Sequence, residues 1–301
     1  MTHTRRAVAP LLAVGILLSG GCSAIDSLPG VGDSAFEEAL EVTPSGEEPL
    51  VFFFSDAERI REEMGPGGDG DLMYVGAPEY LTGSGPSRDG VEDLVTAYTD
   101  DAVWGMRTRQ DLNRVEVVEG RVAPGVRDYL EAQGWTSEDD ATWTGPAGSG
   151  RGARASVGDE RASFVVDRTG DPDAVLGDVG SGGLAESPRL APLLDCIGDD
   201  PLAVSFISRS TPDAGVAAYA VVTDLADDTL QHRSCVLADG STDTARELME
   251  GTADSRVVRA EDVQVDGQVL SADLTFVDGK GGDGAGYRLH QRVVESPPPG
   301  W

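Results

Sequence analysis

Lysine is almost missing from this chain: of its 23 basic residues, only Lys280 is not an arginine. Against them stand 53 acidic residues, for a formal net charge of −30. So acidic a surface repels phosphate backbones and anionic headgroups alike. That excludes nucleic-acid binding and adsorption to a membrane through a basic patch. It leaves a cationic partner conceivable, but solubility outside the cell is the simpler reading. Histidine is also scarce, at His3, His232 and His290 only. A metal centre at the cysteines therefore lacks ligands, and no cofactor is expected. Nowhere is there a Gly-x-Ser-x-Gly elbow, a His-Glu-x-x-His pair, a phosphate-cradling glycine loop ending in lysine, or a dinucleotide fingerprint. Aspartates do pair in glycine-rich stretches (Asp69 with Asp71, Asp171 with Asp173, Asp278 with Asp283). None has the spacing or closing glutamate of a calcium loop, so they read as turns. Long apolar runs are absent too. The best, Ala7 to Leu18, is broken by Pro10 and Gly15 and falls short of the roughly 20 residues that cross a hydrocarbon core.

What is present at the N-terminus reads as an export signal. Arg5 and Arg6 make a basic n-region, and the apolar stretch after them has the length of an h-region. Leu18-Ser19-Gly20-Gly21-Cys22 follows, and this resembles the lipobox of bacterial lipoproteins. The resemblance implies cleavage before Cys22 and a diacylglycerol on its sulfur, with Gly20 and Gly21 as the small residues the cut requires. It departs from the family in one place: Ser19 stands where the family's leucine normally lies, and Leu18 is one place further back. Thr4-Arg5-Arg6 also partly resembles a twin-arginine export signal, without that family's bulky apolar residue and lysine. Removal of residues 1–21 takes away Arg5 and Arg6 and no acid, leaving the mature chain at −32. Two acyl chains hold a protein on a bilayer firmly where one does not, so the membrane partner is engaged through Cys22.

Residues 22–48 mix Gly, Pro, Ser and acids and read as a tether, with one helical turn possible at Ala35 to Leu40. Gly32-Asp33-Ser34 resembles a hydrolase block but falls in this stretch, where nothing would hold a base against the serine. The two remaining cysteines, Cys196 and Cys235, are an even pair in an exported chain and read as a disulfide. A catalytic thiol near His232 and Arg233 is the weaker alternative.

The order strand, polar cap, helix, glycine occurs three times. It runs from Leu50–Phe54 through Ala57–Met64 to Gly65, from Val115–Gly120 through Pro124–Gln133 to Gly134, and from Ser234–Ala238 through Thr242–Glu250 to Gly251. The later two share an arginine in the helix, Arg127 and Arg246, which raises the idea of an ancestral duplication. Further strands are expected at Ala102–Arg109, Arg161–Asp167, Leu202–Ile207, Val216–Thr223, Val263–Val277 with a hairpin turn at Asp266-Gly267, and Tyr287–Val294. A helix capped by Ser187 is expected over Arg189–Cys196. Trp135 and Trp143 are weighed as core residues against an exposed aromatic contact, and core packing is favoured for both.

The fold class read from this pattern is α+β: antiparallel sheets with helices on one face, in two similar lobes, 49–176 and 184–296, jointed at Gly177–Gly183 and followed by a tail at 297–301. The segment from Glu186 to Cys196, and the unit from Val118 to Trp135, resemble stretches of uncharacterised actinobacterial secreted lipoproteins. The arginine-rich, lysine-poor composition fits the GC-rich coding of such organisms. That resemblance implies the class and no activity. The expected function is a membrane-anchored extracytoplasmic lipoprotein that binds or scaffolds an envelope protein or peptide without catalysis. The alternative is a hydrolase using paired carboxylates, which 53 acids make impossible to assign to particular residues.

Overall fold

The computed structural model describes residues 34–44, 50–65, 68–79, 91–110, 113–146, 152–167, 171–180, 183–213, 215–227, 229–252, 258–277, 281 and 284–295. Cys22, the signal segment and the tail lie outside the described residues. Residues from Ser34 onward form one compact unit.

Its frame is a single 12-stranded antiparallel sheet among the described residues. The strands are β1 (Leu50–Asp56), β2 (Ala102–Gln110), β3 (Asn113–Gly120), β4 (Thr136–Ser137), β5 (Thr142–Thr144), β6 (Gly152–Val157), β7 (Arg161–Asp167), β8 (Ala203–Asp213), β9 (Val216–Ala226), β10 (Thr229–Ala238), β11 (Val258–Asp266) and β12 (Val269–Phe276). They lie in the order β11-β12-β10-β9-β8-β1-β2-β3-β7-β6-β5-β4. The two expected lobes are thus the two halves of one sheet, joined where β1 pairs with β8.

Helices are α1 (Ala35–Val42), α2 (Ala57–Met64), α3 (Val91–Asp101), α4 (Ala123–Ala132), α5 (Pro172–Asp178), α6 (Ala191–Ile197), α7 (Thr242–Thr252) and α8 (Ala285–Glu295). None of the described helices is long and apolar enough to cross a membrane. They cover both faces of the sheet, not one. Val51 and Phe53 of β1 point into a cluster with Ile60 of α2, Leu94 of α3, Leu130 of α4, Met249 of α7 and Leu289 of α8. Leu50, Phe52 and Phe54 point the other way, into a cluster with Phe36 of α1 and Leu193 of α6. The wholly apolar run Leu50–Phe54 requires this: a strand covered on one side only would alternate with polar residues. Phe52 stacks on Phe206 of β8 with ring centroids 4.9 Å apart, and Phe36 meets Phe54 edge-on at 5.3 Å.

Three local expectations change. Residues 34–44, read as tether, belong to the body: Phe36, Ala39, Leu40 and Val42 are all buried. Ser34 begins α1 with a capping box shared with Glu37, so its hydroxyl has a structural task. Tyr287–Val294 is helix, not strand. Ala285, Gly286, Leu289 and His290 are buried while Arg288 and Arg292 are exposed, a helical period that the accidental alternation of Tyr287, Leu289, Gln291 and Val293 conceals. The helix near Cys196 starts two residues later than expected, because Pro192 takes the first-turn position and Leu190 the cap.

The expected joint is stitched down as well. Gly180 donates to the Val42 carbonyl at 3.2 Å and Leu184 to that of Thr43 at 3.1 Å. A β-carbon on Gly183 would come within 2.2 Å of the Leu40 carbonyl, which is why glycine stands there. The shared helix arginines do not match in role: Arg127 donates to the Val157 carbonyl at 3.4 Å, whereas Arg246 is exposed.

Candidate functional site

The chemistry of this protein gathers on the face covered by α8. Strand register fixes how. Ser205 of β8 lies opposite Phe53 of β1, Phe53 opposite Arg107 of β2, and Arg107 opposite Glu116 of β3. With a side-chain period of two, all four point to the same side. The Arg107 guanidinium sits 4.3 Å from the centre of the Phe53 ring. Glu116 is 1% exposed and Arg107 8%, so burial pushes the carboxyl pKa up and the guanidinium pKa down. Glu116 Oε1 accepts the Glu79 backbone N–H at 3.2 Å and lies 3.6 Å from Arg114 Nη1. Glu79 in turn pairs with Arg114 and with Arg109. Arg107 Nε and Glu116 Oε2 are buried without a hydrogen-bond partner.

Residues 68–79 are tied across this face. A 3-10 turn at Gly68–Tyr74 leads into Gly76. Ser55 Oγ donates to the Met73 carbonyl at 2.6 Å and accepts the Gly76 N–H at 3.0 Å. Tyr98 donates to the same Met73 carbonyl at 2.8 Å. Gly76 lies so near β2 that a β-carbon would fall 1.9 Å from the Gly105 oxygen.

Two histidines complete the cluster. His290 of α8 is 0% exposed. Its Nδ1 lies 2.9 Å from Ser205 Oγ, and its Nε2 lies 2.8 Å from Thr223 Oγ1 on β9. The same Thr223 oxygen is 2.8 Å from His232 Nδ1 on β10. Burial lowers the His290 pKa to about 3, helped by His232, and lowers that of His232 to about 4. Both imidazoles are therefore neutral at physiological pH.

The Ser205–His290 pair has the residue types of a nucleophile and its base. Its placement works against that use. Ser205 and His290 are both fully buried, and His290 rides on the helix that covers the serine. Lifting the cover to admit a substrate would carry the base away. Glu79 and Glu116 share Arg114 and are the nearest thing here to paired carboxylates, but Glu116 is sealed. What the arrangement does chemically is fasten α8 and residues 68–79 to the sheet.

The expected disulfide joins Cys196 of α6 to Cys235 of β10, with sulfurs 2.01 Å apart and α-carbons 6.1 Å apart. Cys235 is buried, while Cys196 lines an open groove of about 660 Å³ between α6 and the β11–β12 hairpin. Pro192, Asp195, Arg233, Gln264, Gln268 and Val269 also line it. Arg233 is held from behind by Asp224 and the Ile197 carbonyl, at 3.2 and 3.0 Å. Beside the groove runs β11, an edge strand of the sheet, bearing the one large exposed apolar residue among those described, Val265 at 39%.

Of the residues weighed as calcium ligands, Asp171 caps α5 and Asp173 pairs with Arg154, while Asp278 and Asp283 lie outside the described residues. Among the described residues no cluster of metal-ligating side chains occurs. Trp143 is buried at 4%, with its indole nitrogen lacking a partner. Sequence reading missed Arg107, Glu116 and the histidine chain. A signal existed for the first two, since both charges fall on inward positions of apolar strands.

No protein-family model and no curated protein sequence matches the chain. Solved structures that resemble it include crystal forms I and III of TP0453. Each aligns with a TM-score of 0.50 at 9% identity. The first covers 85% of this chain and 96% of that one, the second 84% and 96%. At this identity the likeness is one of fold.

Proposed function

We propose that this protein is a lipid-anchored, extracytoplasmic envelope lipoprotein with a non-catalytic role, holding a protein or peptide partner in the groove between α6 and the β11–β12 hairpin. The observation that carries the reading is the separation of chemistry from access. Ser205, His290 and Glu116, the groups with catalytic potential, are sealed beneath α8 and residues 68–79. The open concavity instead offers apolar walls at Pro192 and Val269 with side-chain amides at Gln264 and Gln268, a lining suited to an extended polypeptide. The anchor rests on the lipobox resemblance at Cys22. The body's charge gives no other means of membrane attachment.

Two experiments address the two halves. Cys22→Ala should abolish incorporation of labelled palmitate and move the protein from the membrane fraction to the medium. Retention with the membrane would remove the anchor from the reading. A photo-crosslinking amino acid at Gln268 should capture an envelope protein in living cells, whereas the same probe at Glu131 on the opposite end should not. Equal capture, or none, at both positions would remove the groove.

A further inference from the structure

We propose that the Ser205–His290–Thr223–His232 chain is a latch, which fastens helix α8 to the sheet while both imidazoles are neutral and releases it when they take up protons. Counting hydrogens gives the reason. Thr223 has one hydroxyl proton and lies within hydrogen-bond distance of two imidazole nitrogens, so it donates to one and accepts from the other. With both rings neutral the chain closes in either direction. In one, Ser205 donates to His290 Nδ1, His290 Nε2–H to Thr223, and Thr223 to His232. In the other every donor is reversed, and Ser205 turns to the His290 carbonyl 3.3 Å away.

A first extra proton leaves these bonds satisfiable but places a cation on a fully buried ring, His290, or a half-buried one, His232. A second sets two imidazolium rings on either side of one hydroxyl, whose own proton then has no acceptor among them.

Among the described residues, no acid pairs with either imidazole. Helix α8 packs on residues 68–74, β8 and β9. These bring Asp71 and Tyr74, Ser205, and Tyr219 with Thr223; α8 itself brings Tyr287 and Arg288, β2 brings Arg107, and β10 brings His232. Asp71 and Arg288 crowd Gly284, nearly two turns before His290. Asp224, next along β9, is turned to the opposite side and holds Arg233. Among the described residues, the charge that acts on His290 is that of His232, and it repels.

The sign follows from the lowered values. A histidine whose pKa is near 3 or 4 in place and near 6.5 once released contributes its full hold above pH 6.5 and loses it as pH falls toward 4. Between pH 7.5 and pH 5 each histidine raises the opening equilibrium about 30-fold, and the two together up to about a thousandfold.

Hydrogen exchange of the α8 amides in the full-length protein, corrected for the intrinsic rate at each pH, reads this directly. Exchange over 285–292 should accelerate by at least about 30-fold between pH 7.5 and 5 and should outpace that of the β1 amides at both pH values, since α8 opens while the sheet stays paired. His290→Gln keeps a donor and an acceptor without a titrating ring and should remove the roughly 30-fold share that His290 contributes. Should that variant fail to fold, the imidazole resonances of the unaltered protein serve instead: two rings still neutral at pH 5 support the latch. Exchange of α8 that does not respond to pH, an undiminished response in the glutamine variant, or a His290 ring titrating near 6.5 in the folded protein would each overturn it.

Discussion

Glu116→Gln should destabilise the protein more at neutral pH than Arg107→Met, and the two changes together should cost far less than their sum. The two side chains lie opposite each other on β3 and β2, at 1% and 8% exposure. Arg107 and Glu116 face each other as buried opposite charges, and removing either leaves the other with less compensation, at the low end of the about 3–5 kcal/mol that breaking a contacting buried pair costs. Glu116→Gln leaves a guanidinium that cannot shed its proton, with the Phe53 ring as partial relief, so about 3 kcal/mol is expected. Arg107→Met leaves a carboxyl that can escape by taking up a proton, and Arg114 still stands 3.6 Å away. Its cost is limited to about 1.4 kcal/mol for each pH unit above the raised pKa.

The direction with pH separates the two variants. A carboxyl whose folded pKa lies above its unfolded value, as burial dictates for Glu116, is most favourable below pH 4.5 and loses stability as pH rises through the folded pKa. Loss of Arg107 widens that gap, so the penalty of Arg107→Met should grow from pH 5 to pH 7.5 and that of Glu116→Gln should not. Urea unfolding of the four proteins followed by tryptophan fluorescence at both pH values gives the cycle. Histidine titration is common to all four and cancels in the differences. A coupling of at least about 2 kcal/mol is expected. Additive costs, or a penalty for Arg107→Met that is the same at both pH values, would refute the reasoning.

Phe36→Ala tests whether α1 belongs to the body. A ring 2% exposed and edge-on to Phe54 should cost about 3–5 kcal/mol in urea unfolding, and a loss below about 1 kcal/mol would return α1 to the tether. Replacing both Cys196 and Cys235 by alanine should lower stability by about 4 kcal/mol on chain-entropy grounds, read as a lower urea midpoint. The unaltered protein, denatured without reductant, should show neither thiol of that pair to a thiol reagent, and two reactive thiols would refute the bridge.

Much of the sheet is legible in local sequence. Leu50–Phe54, Val115–Gly120 and the turn at Asp266-Gly267 announce themselves by apolar runs, alternation and glycine, and they form β1, β3 and the β11–β12 turn. Those signals reach only a few residues. That β1 pairs with β8, and so merges two halves into one sheet, depends on contacts more than 140 residues apart, which no local pattern encodes. α8 was misread because four of its residues alternate by accident while its cover of the sheet follows a 3.6-residue period. The candidate site failed to show for the same reason. His232 and His290 lie on different elements, and only the fold brings a single threonine hydroxyl between them.

The two faces of the sheet are built on different principles, and this bears on how each responds to perturbation. Around α1 the core is Phe36, Phe52, Phe54, Phe206 and Trp104, whose indole nitrogen reaches Glu38 at 3.1 Å. Dispersion and burial hold that face, and neither depends on protonation. The face under α8 carries Arg107, Glu116 and His290 within the same few strands, and each is stable only in a particular charge state. Damage to the first face should therefore lower stability by the same amount at every pH, as for Phe36→Ala. Damage to the second should change the slope of stability against pH. A sheet fixed on one side and conditional on the other can part from α8 while its strands remain paired, because the aromatic face keeps β1 and β8 together whatever the histidines do.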